Sequence, residues 1–312
     1  MTIEEMIGRL RPRRKVHGAA AALLPFEEDG RVAVEAFQQH LRATHEAGLT
    51  NAVNMDTGYV NHLTDEERLQ VLRWTREALG ADVPFIAGAY IEGRKGRIAS
   101  LYRRQMDQIV AHGGVPIIFQ TARLHGKQAS EKIAVYIETC EGYPEVLGFE
   151  LGRMFAPSGE IFDDETVRAL LDVPELKGMK HSSLDRLTEL RRLELRDAVR
   201  PDFRIYTGND LGINMIEYGS DYLLGLATAA PEKFAARDRL WEAGDPAYYA
   251  LSDRLQHLGN VTFRAPVPAY KHSIAIFLHL TGRIPSPHPH PRAPRRPDRE
   301  TEILRHCAEL LA

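Results

Sequence analysis

Short apolar runs alternate with amphipathic stretches along nearly the whole chain. Ala19–Phe26, Thr50–Met55, Pro84–Ala89, Val115–Phe119, Val146–Leu151, Phe203–Thr207 and Asp221–Leu224 have strand length. So does the start of Leu176–Leu184, which leaves the Val173-Pro174-Glu175 turn and closes on the amine of Lys180. Between these runs the spacing changes to that of a helix. Val34, Phe37, Leu41 and His45 recur one turn apart up to a stop at Gly48, and Thr64-Asp65-Glu66-Glu67 has the form of a capping box opening a helix to Leu79. Further helices are expected over Ile98–Ala111, Lys127–Cys140, Asp163–Leu171, Leu187–Asp197 and Leu211–Tyr218.

This alternation requires a parallel sheet. About eight strand-then-helix units before residue 245 favour closure into a (β/α)8 TIM barrel over an open sheet. After them come helices near Pro246–Leu258, Pro266–Gly282 and Asp298–Leu311. The chain therefore divides into a catalytic barrel, residues 1–245, and a C-terminal helical extension, residues 246–312, packed on it. Between the last two helices, Ile284–Pro297 carries alternating prolines that forbid helix and favour an extended connector.

Composition narrows the functional classes. With 40 Lys+Arg against 43 Asp+Glu, the formal charge of -3 offers no general attraction to nucleic acid or an anionic membrane. Arg11-Pro12-Arg13-Arg14-Lys15 is too short and isolated to change that, and Arg94-Lys95-Gly96-Arg97 lacks the glycine spacing of a phosphate loop. The two cysteines, Cys140 and Cys307, support neither a disulfide framework nor a thiolate metal site. His288 and His290 have no carboxylate or cysteine in their segment, so no metal and no cofactor are expected. The acidic start Met-Thr-Ile-Glu-Glu-Met is unlike a signal peptide and no run is long enough to span a bilayer, which places the chain in the cytoplasm.

A parallel barrel builds its active site at the carboxyl ends of its strands. These ends supply Leu24-Pro25-Phe26, Asp56-Thr57-Gly58-Tyr59, Gly88-Ala89-Tyr90, Gln120-Thr121, Phe149-Glu150, Lys180-His181, Gly208-Asn209-Asp210 and Gly225. One amine among carboxylates, hydroxyls and amides is a set suited to a small oxo acid. Desolvation in such a mouth lowers the pKa of a lysine and frees a neutral fraction that attacks a 2-oxo carbonyl to form a Schiff base.

On these residues the chain resembles the dihydrodipicolinate synthase/N-acetylneuraminate lyase family of class I, Schiff-base aldolases. Gly18–Gly30 is similar to that family's opening strand and acidic-Gly turn, and Met55-Asp56-Thr57-Gly58-Tyr59 stands where it has Gly-Thr-Thr-Gly-Glu. Val83–Gly88 resembles its third strand. Gly178-Met179-Lys180-His181-Ser182-Ser183 resembles its lysine segment, and Tyr206-Thr207-Gly208-Asn209-Asp210 its Ser-Gly-Asp-Asp. Pro268–Lys271 and Thr281–Arg283 match its C-terminal helices in order.

The resemblance implies a lyase, aldolase or dehydratase, acting on pyruvate or a related 2-oxo acid or sugar acid. It also implies a homotetramer, or a smaller dimer. Lys180 would form the imine, while Thr57 and the Gly58 backbone hold the substrate carboxylate and Phe149, Gly208 and Asn209 line the site. The departures argue against dihydrodipicolinate synthase itself. Phe149 stands where the family has a proton-relaying tyrosine, Gln120-Thr121-Ala122 replaces a Pro-Tyr-Tyr segment, and Asp56 takes the place of a carboxylate-binding threonine. Its charge would repel a substrate carboxylate unless it is protonated or turned away. Glu150 and Tyr59 are then the candidates for moving protons, with His62 and His181 beside them, and Arg153 for a two-pronged bond to the carboxylate. The alternative is a catalytically reduced barrel that binds or senses a small 2-oxo acid.

Overall fold

Strands of four to seven residues recur as the apolar runs foretell. The computed structural model describes residues 2–312. The strands are β1 (Gly18–Ala21), β2 (Thr50–Val53), β3 (Phe85–Ala89), β4 (Gly114–Ile118), β5 (Val146–Leu151), β6 (Leu176–Ser182), β7 (Arg204–Thr207) and β8 (Asp221–Leu224). All pair in parallel in chain order, and β8 returns to β1 to close the barrel. The helices are α1 (Ile3–Ile7), α2 (Val34–Glu46), α3 (Asp65–Leu79), α4 (Ile98–Ala111), α5 (Ala129–Cys140) and α6 (Asp164–Leu171), then α7 (Arg186–Val199), α8 (Pro231–Ala243), α9 (Ala247–Thr262), α10 (Tyr270–Leu280) and α11 (Glu300–Leu311). The fold is thus the (β/α)8 barrel with C-terminal helices.

Local chemistry explains the boundaries. Thr64 and Glu67 bond reciprocally to each other's backbone at the start of α3, as their spacing requires. The same signature, Thr2-x-x-Glu5, caps α1, an element the sequence reading had not foreseen. Leu211–Tyr218 differs from expectation: only Ile213–Tyr218 is helical, and as a 3-10 turn after Gly212. Pro266 likewise delays α10 to Tyr270, because a proline-bounded 3-10 turn, Val267–Ala269, comes first.

Strand alternation separates two hydrophobic clusters. Ala19, Ala21, Ala52, Ile86, Ile117, Leu147, Phe149, Leu151, Tyr206 and Leu223 fill the inside of the barrel. A larger cluster joins the outer strand faces to the helices. The inner faces of β1 and β2 carry small alanines, and Lys180 stands on β6. The Pro-rich segment 284–297 is tied down rather than free. Arg296 donates to the carbonyls of Thr262, Arg264 and Ala265, and His290 packs edge-on to Phe26. Among the described residues no helix is long and apolar enough to cross a membrane.

Candidate functional site

Lys180 is not the last residue of its strand, since β6 continues to Ser182, so the amine rises from within the barrel wall rather than from its rim. It is paired with Phe149 on β5 and Tyr206 on β7 and is 7% exposed. Its Nζ lies 4.6 Å from the centroid of the Phe149 ring. Burial pulls the amine down to about 8, against the opposing pull of the Asp210 and Asp56 charges.

Asp210, a strand-end residue to which the sequence assigned no role, acts on this amine. It follows β7 and is 4% exposed, and its Oδ1 accepts from the Leu226 backbone N–H at 2.7 Å. Burial pushes its carboxyl up to about 7, opposed chiefly by the nearby Lys180 charge. Each charge acts on the other's titration, so an amine near 8 and a carboxyl near 7 at this end of the barrel can exchange a proton. A signal for it was present: Asp210 lies at a strand end, in the same short segment as Gly208 and Asn209.

Gly208 lets Lys180 take this path. A Cβ at this position would stand 2.6 Å from Lys180 Cε and 1.9 Å from Ser182 Oγ, so only a glycine leaves the amine its route. Ser182, 2% exposed, has no hydrogen-bond partner for its hydroxyl among the described residues. Asn209 folds its side chain back onto the Leu211 N–H, 3.2 Å away, and shapes the loop that carries Asp210.

Opposite, at the end of β2, the loop Asp56–Tyr59 meets α10. Asp56 Oδ1 accepts from Lys271 Nζ at 2.9 Å and Oδ2 from the Tyr270 hydroxyl at 2.8 Å. Thr57 Oγ1 lies 3.0 Å from the same hydroxyl. Gly225 allows this approach, because a Cβ there would stand 3.0 Å from Thr57 Oγ1 and 3.2 Å from the Tyr270 ring. The Gly58 N–H, expected to hold a substrate carboxylate, instead donates to the Met55 carbonyl at 3.0 Å and closes the turn. Asp56 is therefore turned away from open space by an internal ion pair, and Tyr270 and Lys271 join the site.

The expected proton carriers lie elsewhere. Because Phe149 points inward, alternation turns Glu150 outward, into the layer between the sheet and α7. There it accepts from His181 Nδ1 at 2.7 Å, from Arg192 Nε and Nη2 at 3.0 Å each, and from the Phe162 N–H at 2.8 Å. Burial alone raises its carboxyl, but the charges and hydrogen bonds of His181 and Arg192 outweigh that and hold it near 2. It stays ionised on the wrong face of the strand to serve Lys180. His181 shares that face and spans Glu150 and Ser183.

Tyr59, at φ +59°, swings into the outer cluster against Phe26 and His290, with Lys271 Nζ 5.6 Å from its ring centroid. Burial pushes its hydroxyl far above the ordinary range. His62 stacks on His290 at 4.9 Å, where burial lowers its pKa. Arg153 is solvent-exposed in the loop after β5. His288 and His290 bond to Ser286 and to the Arg292 backbone, and no group of three metal-binding side chains occurs among the described residues.

Comparison with known proteins agrees with this architecture. A family model described as a protein of unknown function, DUF993, matches residues 20–286. The 4-hydroxy-tetrahydrodipicolinate synthase of Synechococcus elongatus is 28% identical over 256 residues, covering 78% of this chain and 79% of that protein. The corresponding enzyme of Parasynechococcus marenigrum is 25% identical over 300 residues, 93% of each. Among solved structures, a prophage protein of the dihydrodipicolinic acid synthase family from E. coli K12, in complex with pyruvate, is similar with TM-score 0.83 at 16% identity, covering 95% of this chain and 98% of that one. The dihydrodipicolinate synthase of Thermotoga maritima follows with TM-score 0.80 at 18% identity, covering 95% and 99%. At such identities the structural likeness bears on the fold.

Proposed function

This chain belongs to the DUF993 family and is a divergent member of the dihydrodipicolinate synthase/N-acetylneuraminate lyase family, and from that premise we propose that it is a lysine-dependent lyase acting through a Schiff base. The observation that supports this best is the buried amine of Lys180, pulled down to about 8 beside the Asp210 carboxyl. The neutral amine adds to a substrate carbonyl to give a carbinolamine. Loss of water, with a proton supplied by Asp210, leaves a protonated imine that draws electrons from the adjacent carbon. A carbon–carbon or carbon–oxygen bond at the next carbon then breaks or forms, and hydrolysis of the imine returns the free lysine. In this reading Asp210 takes the proton-carrying role that the sequence had given to Glu150 and Tyr59.

The 2-oxo acid implied by the family resemblance is one candidate class of carbonyl among several. The test is incubation with a panel of 2-oxo acids, aldehydes and ketones plus borohydride, followed by intact mass. Covalent labelling of the native protein that is lost in Lys180→Ala supports the reading, whereas no labelling by any carbonyl, or equal labelling of Lys180→Ala, overturns it. A ligand-dependent rise in unfolding temperature without labelling would favour the binding or sensing alternative, which the hydroxyl-free Phe149 beside Lys180 recommends. Assembly into a homo-oligomer belongs to the same proposal and is read by sedimentation.

A further inference from the structure

We infer that the carbonyl compound received by Lys180 bears no carboxylate on its carbonyl carbon, and is an aldehyde or ketone, hydroxylated beside the carbonyl. The inference rests on the imine reading above and concerns which carbonyl enters. Its first support is that Tyr270, Lys271 and Thr57 are drawn together around a carboxylate of the protein's own, Asp56. A carboxylate only accepts, so the Tyr270 proton goes to Asp56 Oδ2, and the Tyr270 oxygen in turn takes the Thr57 proton. Lys271, 3% exposed, donates to Asp56 Oδ1. The amides of Gly58 and Tyr59 close the loop on Met55 and Asp56. On the other side, the amides of Gly208, Asn209 and Leu226 donate to His181, Thr207 and Asp210. The protein has placed its own carboxylate, Asp56, where those donors converge.

Charge gives the second support. Lys180 and Lys271 face Asp56 and Asp210, so the enclosed set is balanced before any ligand arrives. Attack requires Lys180 to be neutral while Asp210 holds the proton it later supplies, so the charges that remain, Lys271 and Asp56, are already paired with each other. A carboxylate on the reacting carbon would add a further desolvated anion with no free cation beside it. Arg153, in the loop after β5, stands in solvent.

The third support is the group left over. Ser182 Oγ, buried and without a partner among the described residues, lies beside the Lys180 side chain, since one Cβ on Gly208 would touch both. A hydroxyl both donates and accepts, so it can pair with a hydroxyl or carbonyl oxygen of the ligand, and it brings no counter-charge for an anion. Asp56 is on this reading the residue that sets specificity.

Hydroxyacetone and pyruvate share a three-carbon skeleton and differ in whether the carbonyl bears a hydroxymethyl group or a carboxylate. Borohydride labelling of the native protein with each, measured by intact mass and divided by the labelling rate of a free lysine amide, reads the preference directly. Hydroxyacetone is expected to label at least about tenfold faster, and Asp56→Asn, which frees Lys271 for an incoming anion, to reduce that ratio by about tenfold. Pyruvate labelling the native protein as fast as hydroxyacetone overturns the inference while leaving the imine standing, and an unchanged ratio in folded Asp56→Asn overturns the role of Asp56. If neither compound labels Lys180, the imine reading itself falls and the inference with it. Should Asp56→Asn fail to fold by circular dichroism, the ratio in the native protein still decides.

Discussion

Lys180 Nζ stands 4.6 Å from the centroid of the Phe149 ring, its paired neighbour on β5. Two effects of opposite sign meet there. The face of the ring attracts an ammonium by about 0.5–2 kcal/mol, while removing that charge from water costs several. Desolvation wins, and the amine titrates near 8 rather than at its usual 10.5.

The first prediction is a pH profile. The rate of borohydride trapping should rise as pH passes through about 8, because only the neutral amine attacks. The Asp210 charge holds that value up, so Asp210→Asn should move the midpoint to lower pH while keeping an oxygen for the Leu226 N–H. Asp210 also has a linkage signature. Its pKa is raised to about 7 from 3.8, so its contribution to stability is full below about 3.8 and is lost as pH rises through about 7. The native protein should lose stability relative to Asp210→Asn across that window in urea titrations, and a midpoint that stays put or moves upward would count against the pairing.

How far the site was legible in the sequence depended on which rule was needed. Alternating runs fixed the barrel, and strand ends gave Lys180, Thr57 and Asp56, because apolar periodicity and barrel geometry are both written locally. The direction of Glu150 was not. Its neighbour Phe149 faces inward, and a single step along a strand reverses the face, so a strand-end rule that ignores parity places both residues in the mouth. Tyr270 and Lys271 were visible only as part of a C-terminal helix, since their approach to Asp56, more than two hundred residues earlier, is a tertiary fact.

Glu150 supplies the second prediction. It is fully buried, and its carboxylate takes two bonds from Arg192 and one from His181. Glu150→Gln leaves Arg192 without its buried counter-charge and should cost about 3 kcal/mol in chemical denaturation. The native carboxyl is held near 2, below its unfolded value of 4.5, so its contribution is present above about 4.5 and lost as pH falls toward 2; the variant should lack that acid-dependent loss. Trapping on Lys180 in the folded variant should be unchanged, and a large drop would return Glu150 to the catalytic set.

Phe149→Ala tests the wall beside the amine. Removing a fully buried phenyl group should cost about 3–5 kcal/mol and open a space next to Lys180. Water entering that space restores solvation, so the trapping midpoint should move up from about 8 toward 10.5. A midpoint unchanged in a folded variant would mean that burial by Phe149 does not govern the amine.

The ion pair of Asp56 with Lys271 yields the last prediction. The Lys271 side chain is 3% exposed and that of Asp56 12%, so breaking the pair from one side leaves a nearly buried charge. Lys271→Met should cost about 3 kcal/mol, whereas adding Asp56→Asn removes the orphaned charge and should return much of that loss, a coupling of about 1–3 kcal/mol in a double-mutant cycle. The chemistry should follow the same charge. Asp56 raises the pKa of Lys180 in the native protein, and without Lys271 to offset it the trapping midpoint should shift upward in the single variant and fall back in the double. Additive stability losses, or a midpoint that ignores Asp56 in both variants, would separate this pair from the amine and confine α10 to a packing role.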